Sequence, residues 1–243
     1  MTATKTDILA QLQQQILAMQ GFKTATVANA MSFGLGALES CFPNGVFPTG
    51  SIHEFVCQGA EQAAASEGFM AGLLAKLMES GAACLWISKN RKLFPPALQS
   101  FGVKPQQVIF IDLYREKEIL WVMEEALKCE GLAAVIAELP DLDFAQSRRL
   151  QLAVEQSRVT GLVLRKEPKR LSATACTVRW QVKPQASELQ MGLPGVGQPR
   201  WEVNLLKVRN GHTGSFIIEW ATNHFKPISI TKQQEVTYSK QVG

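Results

Sequence analysis

The feature of this sequence that most constrains its fold is an alternation of apolar strands and helical segments between residues 51 and 164. Each apolar run is long enough for one buried strand, and a helical pattern separates it from the next. The predicted strands are residues 51–57, 82–88, 107–113, 132–138 and 161–164, and the predicted helices are residues 61–80, 94–101, 116–129 and 144–158. Because strands joined by helices pair in parallel, we predict an α/β fold whose mainly parallel sheet is covered on both faces.

The pattern changes after about residue 172. Residues 173–182, 201–208 and 215–220 alternate apolar and polar side chains with a period of two, and no helical segment separates them. Such runs pair antiparallel. Residues 183–199 are rich in proline and glycine, which predicts an exposed loop between the first two of these strands.

The chain divides into one large domain and two short terminal segments. Residues 1–24 predict an amphipathic helix, which packs on its own domain or docks on a partner; its apolar stripe contains Ile8, Leu9, Leu12, Ile16, Leu17 and Met19. Residues 25–226 form the predicted core domain. Residues 227–243 are polar and predict a flexible C-terminal tail.

The composition of the chain limits the cellular compartments and the kinds of binding site that we expect. With 46% hydrophobic residues among 243, the chain can bury a core, and no apolar run is long enough to span a membrane. No secretory leader pattern opens the sequence. Five cysteines and three histidines are scattered without metal-ligand spacing. We therefore expect a cytoplasmic protein with no metal site and no membrane partner.

Positive charge is concentrated in the last part of the chain. Residues 145–243 carry 15 basic and 6 acidic side chains, whereas the preceding residues are net acidic. This bias suits DNA or an acidic protein face, but an ordinary solvated surface explains it equally well. Within this region Arg165, Lys166, Lys169 and Arg170 follow a predicted strand. They are candidate contacts for DNA phosphates or another anion.

The first strand-to-helix turn is where an α/β sheet of this kind would bind a nucleotide. The turn contains Cys57, Gln58, Gly59, Glu61, Gln62, Ala63 and Ala64. A phosphate loop needs several glycines, a lysine and a hydroxyl group that binds magnesium. Here one glycine remains, Glu61 would repel a phosphate, and alanines stand where we place the lysine and the hydroxyl. We predict a degenerate loop and no nucleotide cofactor.

The order and spacing of several segments resemble RecA recombinases. These segments are residues 50–55, 86–91, 101–103, 135–138 and 207–210. The resemblance places Asn90 at the catalytic glutamate and Glu138 at the aspartate that ends the Walker B strand. It also matches Lys207, Arg209 and Asn210 to a turn that RecA uses across its subunit interface, which makes them candidates for a subunit or partner interface. The segments matching the two DNA-binding loops are short.

RecA-like chains with a degenerate phosphate loop are similar to the ImuA family and, more distantly, to the division inhibitor SulA. The resemblance implies a RecA-like three-layer sandwich and an accessory role in the SOS response, in translesion synthesis after DNA damage. It implies binding to an ImuB-type protein, an inactive relative of the Y-family polymerases, with RecA as a further candidate partner. A SulA-like inhibitor of a tubulin-like GTPase, a divergent ATPase and a DNA-binding module remain alternatives, and a homo-oligomer remains open.

Overall fold

A computed structural model describes residues 31–168, 170–188 and 197–228. The predicted helix at residues 1–24 and residues 229–243 of the predicted tail lie outside the described residues. The strands are β1 Ile52–Cys57, β2 Ala83–Ser88, β3 Val108–Asp112, β4 Leu132–Glu138, β5 Thr160–Lys166, β6 Val178–Gln185, β7 Arg200–Val208, β8 Gly214–Ala221 and β9 His224–Ile228. The α-helices are α1 Gly59–Leu77, α2 Glu116–Ala126 and α3 Phe144–Ser157, and 3₁₀ helices cover Gly36–Cys41, Pro43–Gly45, Pro95–Phe101 and Pro105–Gln107.

The strands form one sheet in the order β3-β2-β4-β5-β1-β6-β7-β8-β9. All pairings from β3 to β6 are parallel, and those from β6 to β9 are antiparallel. The predicted α/β class, with a parallel centre and antiparallel C-terminal strands, is confirmed.

Helices cover both faces of the sheet, because each face presents its own apolar layer. On one face α1 packs with Phe69 and Leu73 against Phe55 and Trp180. On the other face α2 and α3 contribute a separate core whose members include Ile119, Met123, Leu150 and Val154. This arrangement is the predicted three-layer sandwich.

Close packing of α1 on the antiparallel strands depends on a glycine. A Cβ atom on Gly72 would lie 2.5 Å from the ring of Phe225 and 2.8 Å from that of Trp220. Such distances are too short for any larger residue, so Gly72 lets two aromatic side chains reach the helix backbone.

A buried histidine fixes the start of β1. Trp180 Nε1 donates a hydrogen bond to His53 Nδ1 at 3.2 Å, and the opposite nitrogen lies 2.8 Å from the Pro48 carbonyl. The Phe47 ring stacks on the imidazole at 4.8 Å. Because Nδ1 accepts, Nε2 carries the proton and donates to Pro48. Burial lowers the pKa of His53 to about 4, so the ring is neutral.

Two differences from the predicted elements have a clear physical cause. β6 begins at Val178 and not at residue 173, because Thr174 bonds a buried carboxylate and Ala175 N–H bonds the Ser147 hydroxyl. β9 was missed, since Pro227 and the polar residues after it predicted a loose tail. Phe225 is nevertheless buried, and a proline is tolerated in a strand at the edge of a sheet.

Candidate functional site

The predicted phosphate loop is not a loop in the structure. Only Gln58 separates Cys57, the last residue of β1, from Gly59, the first residue of α1. Gly59 has a φ of +76°, which a glycine adopts without strain. Gln58 N–H donates to the Gln62 side chain at 3.1 Å, which satisfies a backbone group at the helix start. The residues proposed to form a degenerate loop are therefore the first turns of a helix.

The same helix sets which of the motif positions are exposed. Glu61 and Ala64 are exposed, whereas Ala63 is buried under the first turns. The first hydroxyl side chain of α1 is that of Ser66, two residues beyond Ala64. Ser66 is fully buried, and its Oγ has no hydrogen-bond partner among the described residues. It faces the protein interior and is not presented to a ligand.

Charged side chains meet beside α1 at the carboxyl edge of the parallel sheet. Lys166 Nζ lies 2.7 Å from Glu138 Oε2 and 2.9 Å from Glu67 Oε1. Trp86 Nε1 donates to the other Glu138 oxygen at 3.0 Å. We call Glu67, Glu138 and Lys166 the edge cluster. One ammonium group thus lies between two carboxylates where a nucleotide would bind in an α/β sheet.

Electrostatics keep the lysine of the edge cluster charged. Burial alone would lower the pKa of Lys166, but the ion pairs with Glu138 and Glu67 outweigh it, and the net shift is upward. Burial raises the pKa of Glu67, and Lys166 offsets part of that shift. Glu138, which ends β4 as predicted, is engaged by its neighbours, whereas Asn90 is exposed in the bend after β2. Neither side chain is a free catalytic base.

A second charged group lies inside the molecule on the opposite face of the sheet. The Glu54 carboxylate accepts hydrogen bonds from Arg165 and, at 2.9 Å, from Arg179 Nε. Thr174 donates to the same carboxylate at 2.8 Å. We call Glu54, Arg165 and Arg179 the deep cluster. Glu54 and Arg179 were not predicted as site residues, because only the pairing of β1 with β5 and β6 brings these residues together.

The structure corrects the prediction that four basic residues form a contact site for DNA or another anion. The Arg165 side chain is 1% exposed and is paired with Glu54, so solvent phosphates cannot reach it. Lys166 is paired within the edge cluster. Arg170 is exposed, and Lys169 lies outside the described residues. The four side chains therefore do not form one exposed basic patch.

The predicted interface turn lies toward the start of β6, away from the carboxyl edge. Lys207 Nζ donates to the Thr174 carbonyl at 2.6 Å, and Arg209 N–H donates to the Thr177 carbonyl at 2.8 Å. Burial is the main reason that the pKa of Lys207 is lowered. Asn210 is exposed and has a φ of 58°, as in a tight turn. Their role between subunits or partners stays a prediction.

Neither a metal-binding cluster nor a membrane-spanning helix is found among the described residues. In the parts of the chain that the structure describes, no group of three or more histidine, cysteine or acidic side chains is arranged to hold a metal ion. Across those residues, no helix combines the length and the hydrophobicity needed to span a membrane.

Two solved structures share the fold of this chain. A KaiC-like protein from Pyrococcus horikoshii superimposes with a TM-score of 0.56 at 14% identity, covering 83% of this chain and 99% of that one. The RadB recombinase gives a TM-score of 0.55 at 15% identity, covering 82% and 100%. The fold is therefore RecA-like.

Curated relatives are similar in sequence, although no protein-family model matches. The division inhibitor SulA of Edwardsiella piscicida is 30% identical over 103 residues, which cover 42% of this chain and 61% of SulA. Protein ImuA of Caulobacter vibrioides, in two strains, is 33% identical over 208 residues. Because this match covers 81% of the chain and 85% of the relative, the chain belongs to the ImuA family.

Proposed function

We propose that this protein is a non-catalytic, RecA-like accessory protein of DNA-damage-induced mutagenesis. It acts in the cytoplasm by binding an ImuB-type inactive relative of the Y-family polymerases, with RecA as a second candidate partner. Membership of the ImuA family supports the biological setting. The RecA-like fold supplies a scaffold that commonly hosts sites at the carboxyl ends of its strands.

One observation carries the non-catalytic part of the proposal. At the place where a triphosphate would be held, α1 begins directly after Gln58, and the ammonium of Lys166 lies between Glu138 and Glu67. Phosphoryl transfer depends on positioned charges and a metal ion around the phosphates. A protein lysine neutralised by two carboxylates cannot supply that positive field, which favours a role in binding other proteins.

The distribution of the basic residues favours a protein partner over direct DNA binding. Eight of the twelve described basic residues after position 144 are in ion pairs: Arg148, Arg149, Arg165, Lys166, Arg179, Lys183, Arg200 and Lys226. The excess positive charge of the sequence is thus largely compensated locally, whereas nucleic-acid affinity depends on cations that are available to phosphates.

The proposal is tested by mixing the purified protein with the ImuB-type protein of the same organism at micromolar concentrations. We expect one complex in size-exclusion chromatography with light scattering, formed equally with and without Mg-ATP. Independent elution of the two proteins would contradict the proposal. The same experiment gives the oligomeric state of the chain alone.

The similarity to SulA favours a second candidate function, inhibition of a tubulin-like division GTPase. The similar segment is limited to 103 residues, so it carries less weight than the ImuA match. Overproduction in a bacterium separates the two, because only the inhibitor would produce filamentous cells.

A further inference from the structure

The segments at the two edges of the parallel sheet differ in the large apolar side chains that they expose, although Leu139 and Leu142 after β4 are buried. The segments that enter β2, β3, β4 and β5 at the amino edge bury theirs: Met78, Val103, Leu127 and Val159. The segments that leave the same strands each expose one: Phe94 is 68% exposed, Tyr114 82%, Phe144 58% and Leu171 51%. We call these four residues the apolar row.

Folding does not explain why the apolar row is exposed. Phe94, Tyr114 and Phe144 have no aromatic ring in contact among the residues for which the structure gives side chains. Phe144 opens α3, but that helix start is held by Asp143, whose side chain accepts from Gln146 N–H at 2.7 Å. Exposed aromatic side chains cost solubility without contributing to the core, which is a mark of interaction surfaces.

The members of the apolar row follow four neighbouring strands of the sheet. The strands lie in the order β3-β2-β4-β5, so Tyr114, Phe94, Phe144 and Leu171 come after the carboxyl ends of adjacent strands. At about 4.8 Å between strands these four strand ends span roughly 15 Å. A cavity of about 470 Å³ opens beside them, and its lining includes Lys117, Leu120, Asp143 and Arg170.

Charges around the apolar row are balanced. Residues 88–94, 112–118, 138–146 and 166–176 together carry eight basic and seven acidic side chains. Several of these neutralise each other, as in the Arg91–Asp112 ion pair at 3.1 Å. A nucleic acid would require a clear excess of positive charge. Aromatic anchors among balanced charges are typical of the centre of a protein–protein interface.

We propose that the apolar row is the surface on which the protein partner docks, which rests on the proposed function. Lys89, which follows β2, and Glu116, which opens α2, have no ion-pair partner within the described residues. The matching partner face therefore presents apolar pockets for the aromatic side chains, an acidic group opposite Lys89 and a basic group opposite Glu116. The edge that binds ligands in related folds serves here to bind a protein.

The test compares the affinity of three chains for the purified ImuB-type protein by calorimetry. The first is the wild type, and the second carries Phe94→Ser, Tyr114→Ser and Phe144→Ser. The third is the control Trp121→Ser, because Trp121 is 61% exposed but lies within α2 and is not part of the apolar row. We expect the triple variant to bind at least ~30-fold more weakly and the control to stay within ~2-fold of the wild type.

Each outcome separates this inference from the proposed function. If the wild type does not bind, the proposed function fails and the inference falls with it. If the wild type and the triple variant bind equally, only the docking surface is wrong. If the triple variant keeps the protein partner but loses affinity for a single-stranded oligonucleotide, the row binds nucleic acid and the inference is overturned. Should the triple variant melt more than about 2 °C below the wild type, Tyr114→Ser alone replaces it.

Discussion

The deep cluster and the edge cluster use the same kinds of groups in opposite proportions. In the deep cluster one carboxylate, Glu54, is shared by two arginines, and all three side chains are largely buried. In the edge cluster one ammonium, Lys166, is shared by two carboxylates and remains 29% exposed. The comparison indicates that the buried charges of the deep cluster stabilise the structure, whereas the partly exposed charges of the edge cluster lie where a ligand would bind.

The surroundings of the clusters explain the difference. Arg165 and Arg179 also donate to the carbonyls of Arg170 and Ser172, so the deep cluster fixes the backbone between β5 and β6. The ion pairs of the edge cluster join only side chains, from α1, β4 and β5. We infer that the deep cluster is a folding element, whereas the edge cluster holds α1 against the ends of β4 and β5.

The largest effect is expected from Glu54→Gln, because two buried arginines would lose their counter-charge. We expect the free energy of unfolding to fall by about 3–5 kcal/mol, measured by urea denaturation. The loss should be equal at pH 6 and pH 8, since arginine stays charged at both. Glu188→Gln, which removes the exposed carboxylate paired with Arg200, is the control and should leave the free energy of unfolding nearly unchanged. A small or strongly pH-dependent loss of stability for Glu54→Gln would contradict the structural role of the deep cluster.

His53 provides a buried titratable group that belongs to neither cluster. Its pKa falls from 6.5 to about 4 on folding, so the unfolded chain binds the proton more tightly. The contribution of His53 to the free energy of unfolding is fully present above pH 6.5 and is lost as the pH falls toward 4. Between pH 7.5 and pH 5 we expect a loss of about 2 kcal/mol that His53→Asn reduces, as measured by denaturation at each pH. The exposed His224→Gln variant should keep the full loss; an identical acid loss in His53→Asn would contradict the assignment.

Lys166→Met should have a smaller effect with a distinctive pH dependence. Without the ammonium, nothing offsets the burial that already raises the pKa of Glu67, and the nearby Glu138 adds to it, so the pKa of Glu67 rises further above its value in the unfolded chain. The folded state then binds more protons, so stability increases as the pH is lowered. We expect a cost of about 1–2 kcal/mol at pH 8 that shrinks by pH 5.5. A loss that is constant with pH, as predicted for Glu54→Gln, would remove the distinction between the clusters.

The layers of the fold could be predicted from the sequence, because the local spacing of apolar residues determines which segments form buried strands and which form helices. β2 and β4 are continuous apolar runs, and each was placed within about one residue of its observed bounds. β9 was not predicted, because the sequence signal of Pro227 is weaker than the tertiary contact that buries Phe225.

The two clusters could not be predicted, because they depend on strand register. Glu54 and Arg165 are 111 positions apart and meet only because β1 pairs with β5. In the sequence Arg165 and Lys166 are adjacent cations, but alternate residues of a strand point to opposite faces, so each enters a different cluster. Similarly, the composition of residues 57–64 indicated a poor phosphate loop, but not that α1 begins at Gly59.

The central claim, that a protein lysine and an early helix start have replaced the triphosphate site, is tested most directly by titrating Mg-ATP into the full chain in a calorimeter. We predict no binding tighter than about 1 mM, equivalent to about 4 kcal/mol, and no phosphate release on prolonged incubation. Saturable binding below about 100 μM, or turnover that Lys166→Met abolishes, would contradict it.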